Sequence, residues 1–252
     1  SSERASNTKE VCGAGMRFFL GALMLMCIKA YGAAPHHMSA PAVPLAPGYG
    51  PLGYDLPPAG SYERPPLGPA SDGPVIDSKG QSTSLHQLMD ERITLLSFIY
   101  TSCSDVNGCP LASFVLNRVF KRIANDPRLV DKVQLLSLSF DRMNDTPAVL
   151  SNYANRFEAK NQPNWRFLTT PSEPALRKIL SDYNQFIIED TNEQGEKIGS
   201  ISHLLRVYLI DSDRQIREIY SVSFLHPDIL IQDILTIDQN PEQPIANASS
   251  DF

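Results

Sequence analysis

Two stretches of this chain are apolar at almost every position. Residues 93–100 read Ile-Thr-Leu-Leu-Ser-Phe-Ile-Tyr, and residues 133–140 read Val-Gln-Leu-Leu-Ser-Leu-Ser-Phe. Continuous runs of this length mark strands buried on both faces of a sheet. Between them the period changes. After Pro110, apolar residues recur at Leu111, Val115, Val119 and Ile123, one face of a helix, with the proline in the first turn, where a missing N–H costs nothing. Asp145-Thr146-Pro147 opens a second helix over 146–159, which puts Leu150, Tyr153, Ala154 and Phe157 on one side. A short strand is expected at 165–169 and a helix at 172–183 carrying Leu176, Ile179, Leu180 and Tyr183. Strands at 204–210 and 215–222 are joined by the turn Asp211-Ser-Asp-Arg214, and a last helix covers 227–236. Earlier, Ser78-Lys79-Gly80 centres a small hairpin over 75–85.

Strand, helix, strand, helix, then a hairpin and a final helix is the order of a thioredoxin-like, three-layer α/β domain. It spans residues 73–238, with the 75–85 hairpin added at its N-terminal side and the 172–183 helix and following loop as insertions. The rest of the chain has another composition. Most of the 20 prolines fall before residue 75, and residues 35–72 read as an extended Pro/Gly-rich tether, too poor in apolar residues to fold alone. Met16-Arg17 followed by the apolar stretch to Ile28, then Ala30, Gly32, Ala33 and Ala34, reads as a signal peptide in residues 1–34, with 1–15 an upstream extension. A retained membrane anchor is the alternative, although Lys29 cuts the run short of the roughly 20 residues that span a bilayer. Residues 239–252 form a polar tail.

Charge narrows the partners. A net charge of −6 without a basic run argues against nucleic acid and against a polybasic membrane patch. With no clear apolar surface patch, a monomer is expected.

Four cysteines are present, and export would remove Cys12 and Cys27. Cys103 and Cys109 remain, at the junction of the first buried strand and the helix after it. A thiol at a helix start meets free N–H groups and the positive end of the dipole, which favour the thiolate. Five residues separate the pair, wider than the CxxC of redox thioredoxins and unlike the paired CxxC sets of structural zinc sites. A structural disulfide, a redox dithiol and a metal site all remain open at this point. A peroxidase of peroxiredoxin type is a weaker reading, since Thr101-Ser-Cys103 lacks that family's proline–threonine pattern. For metal, two thiolates need a third ligand. His203 follows the loop-like segment 191–202 and precedes a strand, so it can lie over the helix start; two thiolates and an imidazole suit Cu(I) and also hold Cu(II). His86 reads as a helix-start residue and His226, before Pro227, as a cap. His36-His37-Met38 is a further copper-suited cluster beside the expected cleavage site.

Three motifs in order resemble the Sco/SenC family of copper-binding, thioredoxin-like proteins that assist assembly of the CuA centre of cytochrome c oxidase. Phe98-Ile-Tyr-Thr-Ser-Cys103-Ser-Asp-Val-Asn-Gly-Cys109-Pro110 is similar to the family's aromatic strand end followed by Cys-Pro-Asp-Val-Cys-Pro. Ser139-Phe-Asp141-Arg-Met-Asn-Asp145-Thr146-Pro147 resembles Val-Asp-Pro-x-x-Asp-Thr-Pro, and His203 leading to Tyr208-Leu-Ile-Asp211 resembles the family's histidine ligand and its strand. The resemblance implies Cys103, Cys109 and His203 as copper ligands. It also implies an exported, periplasmic metallochaperone, with a membrane anchor facing the periplasm as the alternative, whose partner is an oxidase subunit or another cuproenzyme. A thiol–disulfide oxidoreductase using Cys103 and Cys109 is the alternative function. One departure stands out. Asn107-Gly108 widens the family's CxxxC to Cx5C and Ser104 replaces a proline, which is expected to loosen the bite on copper.

Overall fold

A computed structural model describes residues 43–159 and 162–239. The expected signal or anchor, the His36-His37-Met38 cluster and the C-terminal tail from 240 lie outside the described residues. Among the described residues no helix is long and apolar enough to cross a membrane.

The strands are β1 (Gly68–Pro69), β2 (Pro74–Asp77), β3 (Ser82–Ser84), β4 (Ile93–Ile99), β5 (Val133–Ser139), β6 (Trp165–Thr169), β7 (Ile187–Thr191), β8 (Lys197–His203), β9 (Val207–Ile210) and β10 (Gln215–Tyr220). The α-helices are α1 (Leu85–Met89), α2 (Cys109–Ala124), α3 (Pro147–Asn155), α4 (Glu173–Asp182) and α5 (Pro227–Gln239). Eight strands form one sheet in the order β1-β10-β9-β4-β5-β6-β2-β3, and β7 and β8 form a separate hairpin. β4 pairs in parallel with β5, and β5 with β6, whereas β9 runs antiparallel to β4. The two continuous apolar runs are thus the central strands, and every residue of β4 and β5 is buried.

Helices cover both faces. On one face the Phe120 ring of α2 meets Trp165 and the Tyr153 ring of α3 meets Phe167, with α5 packed on α2. On the other, Tyr183, which caps the C-terminus of α4, contacts Phe98 and Tyr208, and the buried Gln134 side chain donates to the carbonyls at the end of α1. The three-layer thioredoxin-like arrangement read from the element order is therefore the observed one, with the β2–β3 hairpin and α4 as its additions.

Two segments differ from expectation. Residues 191–202 are a hairpin instead of a loop: Asn192 Oδ1 accepts from the N–H groups of Gln194 and Glu196, and Gly195 takes φ +80°. Asn and Gly mark the turn between β7 and β8 because both tolerate such geometry. The following strand consequently begins at Val207, not at 204.

The second difference concerns the tether. Residues 43–72 lie on the domain as a strap. Gly48 in the short 3-10 turn Pro47–Tyr49 is buried, and a Cβ there would clash with the Leu225 carbonyl. Further along, Arg64 forms a salt bridge at 2.9 Å with Asp233, which also accepts from the hydroxyls of Tyr62 and Tyr220. Finally β1 pairs with β10. Such a segment has no core of its own, but its unpaired backbone groups and scattered aromatics find partners on a surface already folded.

Candidate metal centre

The site forms where β4 ends. Cys109 is the first residue of α2, behind the N-cap Gly108, and is fully buried. Its Sγ accepts from the Tyr100 backbone N–H at 3.4 Å. Cys103 sits in the connecting loop, partly exposed, its N–H donating to the Tyr100 carbonyl. His203 ends β8, opposite Ile187, and its Nε2 lies 3.4 Å from Cys109 Sγ. Sequence reasoning put these three residues together; the fold does so too. Their ligand atoms all lie within 4.8 Å of one another.

Aromatic rings hold the imidazole. Phe140 packs edge-on against His203 at 4.7 Å between centroids, and Tyr100 stands at 6.3 Å. Nε2 faces the thiols, while Nδ1 is buried without a hydrogen-bond partner. The Tyr100 hydroxyl bonds to Cys103 and accepts from the Ile201 N–H, which joins the hairpin to the cysteine loop. Behind the loop, the buried Asp145 carboxylate accepts from the Thr101 N–H at 3.0 Å, from the Thr101 hydroxyl and from Ser139 Oγ.

The two thiols are not equivalent. Cys103 is held down to about 4, first because the Cys109 S–H donates to its thiolate, then through His203 and the N–H groups of Cys109 and Asp105. Cys109 is pushed up, by donating its proton to Cys103 and by burial. The expectation that a helix start favours the thiolate thus holds for the pair but falls on the loop cysteine: Cys109 has the helix position, yet it is enclosed, and Cys103 has the exposure and the donors. Neighbouring thiolate charge and burial raise Tyr100 to about 12, burial foremost. Cys103 and His203 border an open cleft of about 200 Å³, with Asp105 and Asp190 at its rim.

This donor set fits a soft metal ion. Bonds of about 2.0–2.3 Å from sulfur and nitrogen place three ligands around one ion about 4 Å apart, so a spread of 4.8 Å needs only a small closure. Thiolate and imidazole together select copper or zinc over hard cations. Among the described residues the other histidines are structural: His86 Nε2 meets the Ala70 carbonyl, and His226 Nδ1 accepts from the Asp228 N–H at the start of α5. Sequence reasoning missed Tyr100 as a contact of Cys103 and saw Asp145 only as part of a helix cap; Thr146 is that cap, and Asp145 turns back to the loop.

A thioredoxin-like frame with an acidic thiolate, a buried thiol and an imidazole at the first strand-to-helix junction defines a dithiol–histidine protein able to hold copper. The chain belongs to the SCO1/SenC family, whose model matches residues 74–238. No curated protein sequence matches it. Solved structures share the fold at low identity. A copper-bound ScoI from Arabidopsis thaliana is 20% identical, with a TM-score of 0.53, covering 68% of this chain and 98% of its own. A SCO1/SenC family lipoprotein from Bacillus anthracis is 23% identical, with a TM-score of 0.56 and coverage of 68% and 96%. BsSco, described with a disulfide switch as a member of the Sco family of cytochrome c oxidase assembly proteins, is 22% identical, with a TM-score of 0.53 and coverage of 71% and 98%.

Proposed function

We propose that this protein binds copper through Cys103, Cys109 and His203 and delivers it to a copper-accepting protein, an oxidase subunit or another cuproenzyme. The observation that carries this reading is the convergence of two sulfurs and one imidazole nitrogen within 4.8 Å beside an open cleft. Copper is cargo here. The acceptor's own thiolates displace the three ligands in turn, starting at Cys103 and His203, which border the cleft, and ending at the enclosed Cys109. The ligand order follows from exposure. Family membership and the copper bound to the Arabidopsis ScoI support the choice of metal.

The reading extends to location. Residues 16–34 act as an export signal or anchor, and the domain works as a monomer in an oxidising compartment such as the periplasm, where the dithiol can cycle with a disulfide. Titration of the reduced protein with Cu(I) and Cu(II) tests the site: binding is expected at one ion per chain and is lost for Cu(II) in His203→Ala. Unchanged binding in that variant rejects the ligand set.

A second reading is favoured by the asymmetry of the thiols. A partly exposed Cys103 of low pKa and an enclosed, proton-holding Cys109 are the attacking and resolving pair of a thiol–disulfide oxidoreductase that keeps a partner's cysteines reduced. Cys109→Ser should then trap a mixed disulfide through Cys103, and Cys103→Ser should trap none.

A further inference from the structure

The two residues that widen the cysteine spacing are not slack chain. The Gly108 N–H donates to the Asp105 carbonyl at 2.9 Å, and Asp105 Oδ1 accepts from the Asn107 N–H at 3.0 Å, so residues 105–108 form a turn. The Asn107 amide leaves that turn and bonds twice to the strap. Its Oδ1 accepts from the Ala46 N–H at 2.9 Å, and its Nδ2 donates to the Pro44 carbonyl at 2.9 Å. One side-chain amide thus pairs with a donor and an acceptor two residues apart, as a neighbouring strand would. Beside it the Tyr49 hydroxyl donates to the Val106 carbonyl at 2.5 Å.

The strap is itself anchored behind this clasp. Gly48 packs so closely that only a hydrogen fits against the Leu225 carbonyl, Val115 and Leu111. The Tyr49 ring lies 4.9 Å from that of Phe114 on α2, and the Gly50 carbonyl meets His226 Nε2 at 2.9 Å. Residues 44–46 are therefore a fixed rail on which the turn is hung.

The two cysteines depend on that rail unequally. Cys109 belongs to α2 and is enclosed by the core, so the helix sets its position. Cys103 belongs to the loop. Its N-terminal side is tied through Thr101 to Asp145, and its C-terminal side runs through the turn at 105–108.

We propose that Asn107 is a positioning residue of the dithiol, which latches the turn to residues 44–46 and so keeps Cys103 within bonding reach of Cys109. The proposal rests on reading the two cysteines as the reactive pair, and it adds the strap to the site as a working part. The wider Cx5C spacing is then held as firmly as a shorter one, by the paired bonds of this side chain with the Tyr49–Val106 bond beside them. Displacing the strap releases Cys103.

The test uses the full-length, reduced, metal-free protein equilibrated with a glutathione couple. The dithiol gives two electrons to oxidised glutathione, the Cys103–Cys109 disulfide forms, and two molecules of reduced glutathione are released. Asn107→Ala lowers the effective concentration of one thiol at the other and shifts this equilibrium about tenfold toward the dithiol, about 30 mV. Gly48→Ala leaves the loop sequence intact but forces the strap away from Leu225, and it shifts the equilibrium in the same direction. Because both changes break one link, the double variant shifts little further. No shift in either single variant, a shift in only one of them, or shifts that add in full overturns the proposal. A wild-type protein that forms the disulfide yet binds no copper rejects the copper reading and leaves the glutathione result to decide on Asn107.

Discussion

The backbone N–H of Thr101 donates to the buried carboxylate of Asp145 at 3.0 Å, across 44 residues of sequence. Asp145 is 1% exposed, and its remaining acceptor capacity goes to the hydroxyls of Thr101 and Ser139. One carboxylate thereby fixes the loop that carries Cys103 to the end of β5, at the carboxyl edge of the parallel strands, where open α/β sheets hold their ligands.

Asp145→Ala should therefore reach both stability and the site. Three donors lose their acceptor, two on the partly buried Thr101 and one on the buried Ser139, at about 1–3 kcal/mol for each that stays unpaired out of reach of water. Thermal unfolding should begin several degrees lower, and copper retention against a Cu(I) chelator should fall further than the change in unfolding temperature explains. Asp145→Asn, which keeps one acceptor oxygen, should lie between.

The Tyr100 hydroxyl links Cys103 to the hairpin through Ile201. Tyr100→Phe removes the bond to Cys103 and the acceptor of the Ile201 N–H, about 1 kcal/mol each, without changing the ring that faces His203. The expected outcome is roughly fivefold faster copper loss to a chelator, with an unfolding temperature within a few degrees of wild type. A variant equal to wild type in copper release would show that this hydroxyl does not hold the loop cysteine.

The thiol pair makes stability depend on pH in a two-sided way. Cys103 is lowered in the folded state to about 4 from 9.0, so its contribution is lost as pH falls toward 4; Cys109 is raised, so its contribution is lost above 9.0. Between about pH 4 and pH 9 the unfolded pair carries two protons and the folded pair one, so the reduced metal-free protein gains stability with rising pH, and above pH 9 it loses it. Urea unfolding of wild type against a Cys103→Ser, Cys109→Ser double variant isolates this slope. The double variant should lack it. Alkylation of Cys103 by iodoacetamide should persist in wild type well below pH 7, and in Cys109→Ala its midpoint should move up, because the first cause of the low value is the Cys109 S–H.

Asp233 anchors the strap at its other end, pairing with Arg64 at 2.9 Å and accepting from Tyr62 and Tyr220. Asp233→Ala removes the carboxylate from this group and should cost about 1–3 kcal/mol, the scale for leaving the buried Tyr220 hydroxyl without its acceptor, since Arg64 is partly exposed and keeps Glu218. Limited proteolysis should then cut within residues 54–66 faster than in wild type, while the core strands β4 and β5 stay protected in hydrogen exchange.

Much of this protein is legible without coordinates. The continuous apolar runs at 93–100 and 133–140 determine two central strands, because only strands covered on both faces tolerate such composition. The 3-to-4 spacing after Pro110 determines α2, and a cysteine at its start with another in the loop before it follows from the chain itself. His203, by contrast, is one candidate among several histidines in the sequence, singled out by the loop before it and the strand after it, and made a ligand by the resemblance. No local pattern states that residue 203 returns to residue 109, since that contact is made by the β7–β8 hairpin closing over the site. The hairpin was read as a loop because Asn192 and Gly195 signal a turn without saying what flanks it.

The tertiary structure also decided which cysteine is acidic and what the extra residues do. Sequence placed Cys109 at the helix start, where dipole and free N–H groups favour the thiolate; burial and a shared proton gave that role to Cys103 instead. Asn107 and Gly108 read in sequence as a widening of the loop, and the fold makes them a turn latched to a segment 61 to 63 residues earlier that composition alone marks as an extended tether. Element type is set by side chains a few positions apart, and so the sequence by itself determines it. Proton ownership and the hold on a loop depend on groups far apart in the chain, and only the folded packing brings those groups together.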